Sequence, residues 1–231
     1  MNKNQLFTAH TKMADMIASN PNLLIILPRL NIPLGFGEKT IAEVCESRDI
    51  SVNFFLMICN IYTFDKYLPT IDQLEQADMQ LWVPYLRASH DYYSKERLPH
   101  IKHHLDRITD RLGGKYADVL KRFFADYCKE VSSHFESEEK LVFPYIDQLL
   151  SDHKPEKHNV VEILEPHDSI MDRLYDLTKI VYKYIPGDIV SEELMDLIFC
   201  VHQLADDLQK HALIEEKILL PYVERLEGEG L

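Results

Sequence analysis

The sequence predicts an all-α protein: an antiparallel up-down four-helix bundle preceded by a small helical N-terminal domain. Three observations carry that prediction. The 231 residues are 46% apolar with only seven glycines, a balance that suits long helices and is large enough to bury a core. Apolar residues recur at helical spacing through four long stretches, about 80–111, 115–150, 158–185 and 191–227. The C-terminal two thirds also repeats itself at an offset of 77, the interval from His90 to His167, so each half reads as one helical hairpin.

Taken in order, residues 1–65 hold short apolar segments punctuated by Pro21, Pro28, Pro33, Gly35 and Gly37. Thr40-x-x-Glu43 is a capping-box signature that predicts a helix start there. Residues 66–79, with Pro69 and several polar side chains, read as a linker, and the bundle occupies 80–231. Gly113-Gly114 ends its first helix, Ser151-Asp-His-Lys-Pro155 the second and Ile185-Pro-Gly-Asp188 the third, while Ser191 is placed to cap the fourth. Connections this short favour antiparallel neighbours closing around one core.

Composition excludes several classes of function. A net charge of −13, with no locally basic segment, repels phosphate backbones and argues against nucleic-acid partners. The longest apolar run, Leu23 to Leu27, falls far short of the roughly 20 residues that a membrane span needs. The opening residues lack the apolar core of a secretory signal, so a soluble cytoplasmic protein is expected. Cys45, Cys59, Cys128 and Cys200 are scattered without a Cys-x-x-Cys pair, as expected of buried, reduced thiols.

The repeat preserves chemistry. His90 maps to His167, His134 to His211 and Glu138 to Glu215, so each half supplies a lone histidine and a His-x-x-x-Glu pair. Around the second pair the match runs without a gap, from His134-Phe-Glu-Ser-Glu-Glu-Lys-Leu-Val-Phe-Pro-Tyr145 to His211-Ala-Leu-Ile-Glu-Glu-Lys-Ile-Leu-Leu-Pro-Tyr222. Residues four apart on a helix share a face about 5–6 Å apart, so each pair can serve one metal ion or two adjacent ones. A single such pair is ordinarily a solvated contact worth a few tenths of a kcal/mol. Two copies at matched spacing, each preceded 44 residues earlier by a His-Asp, read as a two-fold metal site inside the bundle.

Six nitrogen and oxygen donors without a thiolate are too many for one tetrahedral zinc and too rich in imidazole for calcium or magnesium. Two first-row ions bridged by Glu138 and Glu215 are expected. Iron is the first choice, each ion taking two imidazoles, with an oxo or hydroxo bridge and open positions for a small ligand; manganese or a mixed pair suits the same donors. Glu130 and Asp207, each one turn before a ligand histidine, read mainly as solvated charges, the alternative being to orient an imidazole or line an entry path. Asp91 and Asp168 read as surface charge. Tyr145, Tyr222, Pro144, Pro221, Phe143 and Leu220 read as hairpin-end packing and helix kinks. His100, His103, His104, His153 and His158 have no repeat partners and read as surface residues, and His202 lies half a turn off the ligand face.

With these residues in place, the chain resembles the hemerythrin-like di-iron proteins, most closely the repair-of-iron-centres family. The likeness spans nearly the whole length. In the bundle it rests on His90, His134-x-x-x-Glu138, His167 and His211-x-x-x-Glu215, with Glu-Val-Ser-Ser-His134 and the hairpin ends Val-Phe-Pro144 and Leu-Leu-Pro221. In the leading segment it rests on Ile17-Ala-Ser-Asn-Pro21, Leu30-Asn-Ile32 and Gly35-Phe-Gly-Glu-Lys39. The chain departs from the family at one point: the Cys-Cys pair expected before the glycine is replaced by Gly35-Phe36, so a role of that domain through such a pair is not expected. The resemblance implies a cytoplasmic non-heme di-iron protein that protects or restores iron–sulfur clusters under nitrosative or oxidative stress. It would meet a small diatomic ligand, oxygen or nitric oxide, and iron–sulfur proteins as partners. Two alternatives stand beside it: an oxygen or nitric oxide sensor, and a di-iron reductase of nitric oxide or peroxide.

Overall fold

Gly113 ends the first bundle helix, and the Thr40 and Ser51 hydroxyls cap two helices of the N-terminal segment. A computed structural model describes residues 6–75, 79–151, 167–185 and 192–229. The N-terminal segment folds as helices Met13–Ser19, Ile26–Arg29, Ile41–Glu46 and Val52–Thr63, with a 3₁₀ turn at Pro21–Ile25. Thr40 forms the predicted capping box: its backbone N–H donates to the Glu43 carboxylate at 2.7 Å, and its hydroxyl accepts from the Glu43 N–H at 3.3 Å.

The first bundle helix runs from Trp82 to Leu112 and the second from Gly114 to Leu149. The third covers Asp168–Tyr184 and the fourth Glu192–Glu229. Gly113 and Gly114 both sit at positive φ, +63° and +62°, a conformation costly for any residue with a side chain; two in succession reverse the chain between the first two helices. The first helix packs on the second and the fourth, and the third closes the ring between them, giving the expected all-α up-down bundle. The predicted breaks at 152–155 and 186–188, the Ser191 cap, His153 and His158 lie outside the described residues.

Among the described residues, three stretches of the bundle helices widen to π geometry for five residues, at Tyr93–Arg97, Glu138–Val142 and Glu215–Leu219. Each widened turn stops two residues before a proline: Pro99, Pro144 and Pro221. Proline donates no N–H and its ring collides with the carbonyl four residues back; adding a residue to the preceding turn relieves both problems without breaking the rod. The prolines therefore do more than kink hairpin ends, because two of the widened turns begin at Glu138 and Glu215.

The apolar interior falls into two clusters. One lies wholly within the bundle and includes Leu105, Phe124, Leu174 and Leu204. The other joins the N-terminal helices to one end of the bundle, where Phe54 meets Trp82 edge-on at 5.1 Å and Val142, Ile214 and Val223 complete the packing. His90, Glu138 and His211 fall between these clusters along their helices, and Glu215 lies at the edge of the one that includes Ile214. The cysteine expectation needs correction: Cys45 and Cys59 are buried, but Cys128 and Cys200 are half-buried on the flanks of the bundle.

Candidate metal centre

All six predicted donors converge in one buried site. His90, His134, Glu138, His167, His211 and Glu215 are each at most 4% exposed. Glu138 and Glu215 lie at the centre, each with one oxygen toward each half of the site. His90 Nε2 stands 3.2 Å from Glu138 Oε2, and His211 Nε2 stands 3.1 Å from Glu215 Oε1. Across the site His134 Nε2 is 3.1 Å from Glu138 Oε1, and His167 Nε2 is 2.9 Å from Glu215 Oε2. The donors form two groups of metal-binding size that share Glu138, one holding His90, His211 and Glu215, the other His134 and His167.

These short separations lack the directions of hydrogen bonds. Among the described residues, both carboxylate oxygens of Glu138, both of Glu215 and Nε2 of His167 have no acceptable hydrogen-bond partner. Buried carboxylates without partners cost several kcal/mol, and cations set between carboxylate and imidazole offset that cost. The donor chemistry therefore fits metal ions.

A family model for the hemerythrin HHE cation-binding domain matches residues 82–223, more than half of the chain. The chain belongs to the hemerythrin family. Comparison with curated proteins yields no match.

The two halves of the hemerythrin domain are supported alike by the second glutamate of each Glu-Glu pair. Glu139 Oε1 accepts from His90 Nδ1 at 3.0 Å, and Glu216 Oε1 accepts from His167 Nδ1 at 3.4 Å. A carboxylate only accepts, so it holds the proton on Nδ1 and leaves the Nε2 lone pair facing the site. Arg87 braces Glu139 through a 3.0 Å contact. The sequence reading missed both residues, although the repeated Glu-Glu dipeptide at offset 77 carried the signal.

Beyond this shell the symmetry ends. His90 is stacked on Phe135 at 4.0 Å, with Phe143 at 5.3 Å, and Tyr93 meets His211 edge-on. His167 instead borders a surface cavity of about 650 Å³, lined also by Met171, Lys210 and Glu216.

Asp207 overturns the solvated-charge reading. It is 3% exposed and paired with Arg29 of the N-terminal segment, while the Tyr62 hydroxyl donates to it at 2.8 Å. A distant arginine, separated by 178 residues, supplies a buried counter-ion that helical periodicity cannot reveal. Its repeat equivalent, Glu130, is half-buried and pairs with Arg173 within the bundle. Asp91 carries surface charge as expected, paired with Lys95. His202 lies away from the centre, 2.7 Å from the Tyr182 hydroxyl. His167 sits at the start of the described third helix, as its N-cap residue, where the sequence places it inside a longer one.

Electrostatics reinforce the pairing. Burial and Glu215 favour the neutral form of Glu138, but the imidazoles of His134 and His90 outweigh them and lower its pKa. Glu215 is likewise opposed by burial, yet His211 and His167 hold it far below the usual carboxylate range. For His167, burial favours the neutral ring, but the charges of Glu215 and Glu138 prevail and push it up to about 9. Burial lowers His211. A folded pKa above the unfolded one means that protonated His167 stabilises the metal-free protein below about pH 6.5, and that this contribution disappears as pH rises toward 9. Metal-free protein is therefore expected to lose on the order of 3 kcal/mol between pH 6 and 9 through this group. Urea titrations of wild type and His167→Gln test this; equal pH slopes for both would refute it.

Proposed function

We propose that this hemerythrin domain holds two iron ions, one on His90 and His211 and the other on His134 and His167, with Glu138 and Glu215 bridging. The observation that carries the reading is the two-fold arrangement of orphaned carboxylate oxygens between four imidazoles. Bound iron supplies reversible one-electron chemistry and affinity for a diatomic ligand. The chain's residues do the rest. Glu139 and Glu216 fix the tautomers of His90 and His167, Phe135 and Phe143 keep water from His90, and the His167 cavity admits oxygen or nitric oxide.

The role supported best, through resemblance to the repair-of-iron-centres family, is protection or repair of iron–sulfur clusters in the cytoplasm under nitrosative or oxidative stress. Because Gly35-Phe36 replaces the Cys-Cys pair, that role rests on the bundle. No described helix is long and apolar enough to cross a membrane. Metal analysis with visible absorption on protein purified without added metal is expected to give two irons per chain with oxo-bridge bands. One ion per chain, or another metal throughout, would overturn the di-iron assignment. Deleting the gene is expected to slow recovery of cluster enzymes after nitric oxide, and normal recovery would remove the repair role.

A second reading, ligand sensing relayed through the N-terminal segment, draws on one contact. Arg29 grips Asp207 one turn from His211, so a shift of that helix reaches the N-terminal helices directly. Ligand-dependent change in partner binding would favour it over repair.

A further inference from the structure

Ten residues along the first bundle helix from His90, about 15 Å at the helical rise, lies a second group of metal-binding side chains. His100 and His104 are one turn apart on that helix, and Cys200 faces them from the fourth. The antiparallel register places them opposite one another: Arg97 donates to Gln203 at one end, and Arg107 pairs with Glu193 at the other. One donor atom from each of His100, His104 and Cys200 lies within 4.8 Å of the others. The two Nε2 atoms are 3.3 Å apart, with the rings nearly perpendicular at 86°. Two imidazoles on one tetrahedral zinc, with Zn–N about 2.0–2.1 Å, have nitrogens about 3.3 Å apart, so this pair stands at the spacing required.

A hydrogen bond between the two rings gives a similar distance, but it assigns no role to the thiol. Nδ1 of His104 is buried without a hydrogen-bond partner among the described residues. Burial, then the neighbouring His104 and Arg97, lowers the His100 pKa. Asp196, one turn from Cys200, adds negative charge felt by His100.

We propose that His100, His104 and Cys200 form a second metal site, separate from the hemerythrin centre, for a borderline-soft divalent ion of the zinc class. Two imidazoles and a thiolate match zinc, cobalt(II) or copper, whereas the all nitrogen and oxygen donors of the hemerythrin centre suit iron. Binding releases the thiol proton of Cys200 to solvent, the only covalent change required. The fourth position is left to water or to Asp196.

Cobalt(II) is the decisive probe, because only a thiolate ligand gives a sulfur-to-cobalt charge-transfer band. One equivalent added to the iron-loaded protein is expected to produce that band. Cys128→Ser should keep it and Cys200→Ser should lose it. Loss of an outer-shell partner already weakens metal binding by about 10–100-fold, so removing the sulfur is expected to weaken zinc binding at least that much. On the unaltered chain, zinc(II) is expected to slow alkylation of Cys200 by iodoacetamide on the order of tenfold, read by peptide mass spectrometry. Absence of the band in the wild type, its persistence in Cys200→Ser, or unchanged alkylation with zinc overturns the proposal.

Discussion

Alanine at His211 is expected to empty at least half of the hemerythrin centre. In the proposed assignment the ring supplies one donor directly, and its loss leaves Glu215 buried with one imidazole fewer to balance it. Metal content should fall from the proposed two ions per chain to one or none. Stability should fall with it, because a ligand bound at 100 times its Kd contributes about 2.7 kcal/mol to the folded state. Melting curves with and without chelator separate the two effects: the wild type should lose stability when chelator is added, and the variant should change little. His202→Ala, nine residues earlier and outside the centre, serves as the control. Undiminished metal in His211→Ala would end the ligand assignment. Acid is expected to act in the same direction, since protons compete for the imidazole lone pairs.

The second large effect is expected from Arg29→Met. Arg29 is buried, pairs with Asp207 and lies over the rings of Tyr92 at 4.6 Å and Tyr93 at 5.0 Å. Methionine fills similar volume but leaves the Asp207 carboxylate buried without its arginine, while the Tyr62 hydroxyl still donates to it. Breaking a buried pair from one side costs about 3–5 kcal/mol, whereas replacing both partners with apolar groups is often close to neutral. Urea unfolding should therefore show a large loss for Arg29→Met and recovery of much of it in Arg29→Met with Asp207→Leu. A small effect of the single variant would mean that the pair does not fasten the N-terminal helices to the bundle. Should the double variant recover stability while changing the spectrum of bound metal, the pair also acts on His211 one turn away.

Both predictions bear on what was legible in the residue order. The convergence of His90, His134, His167 and His211 was legible because the duplicated hairpin repeats their spacing, and helical geometry turns that spacing into one face. Glu139 and Glu216 were just as repetitive. They went unseen because a residue beside a ligand ordinarily points about 100° away, and the widened turns that begin at Glu138 and Glu215 change that relation. Pro144 and Pro221 announce those turns, but a proline in a helix is equally compatible with a kink. Asp207 illustrates a different limit. Its partner lies far away in the chain, so no local period marks it as buried rather than solvated.

Local physics therefore determined the all-α class, the helix ends at Gly113-Gly114 and Thr40, and the six inward-facing donors, because each depends on interactions within a few residues or on a repeat written into the chain. Tertiary packing alone decided that Arg29 meets Asp207 one turn from His211, that His167 borders a surface cavity, and that His100 and His104 face Cys200. Those outcomes depend on which helix lies beside which and in what register, quantities fixed by the shared burial of distant apolar surfaces.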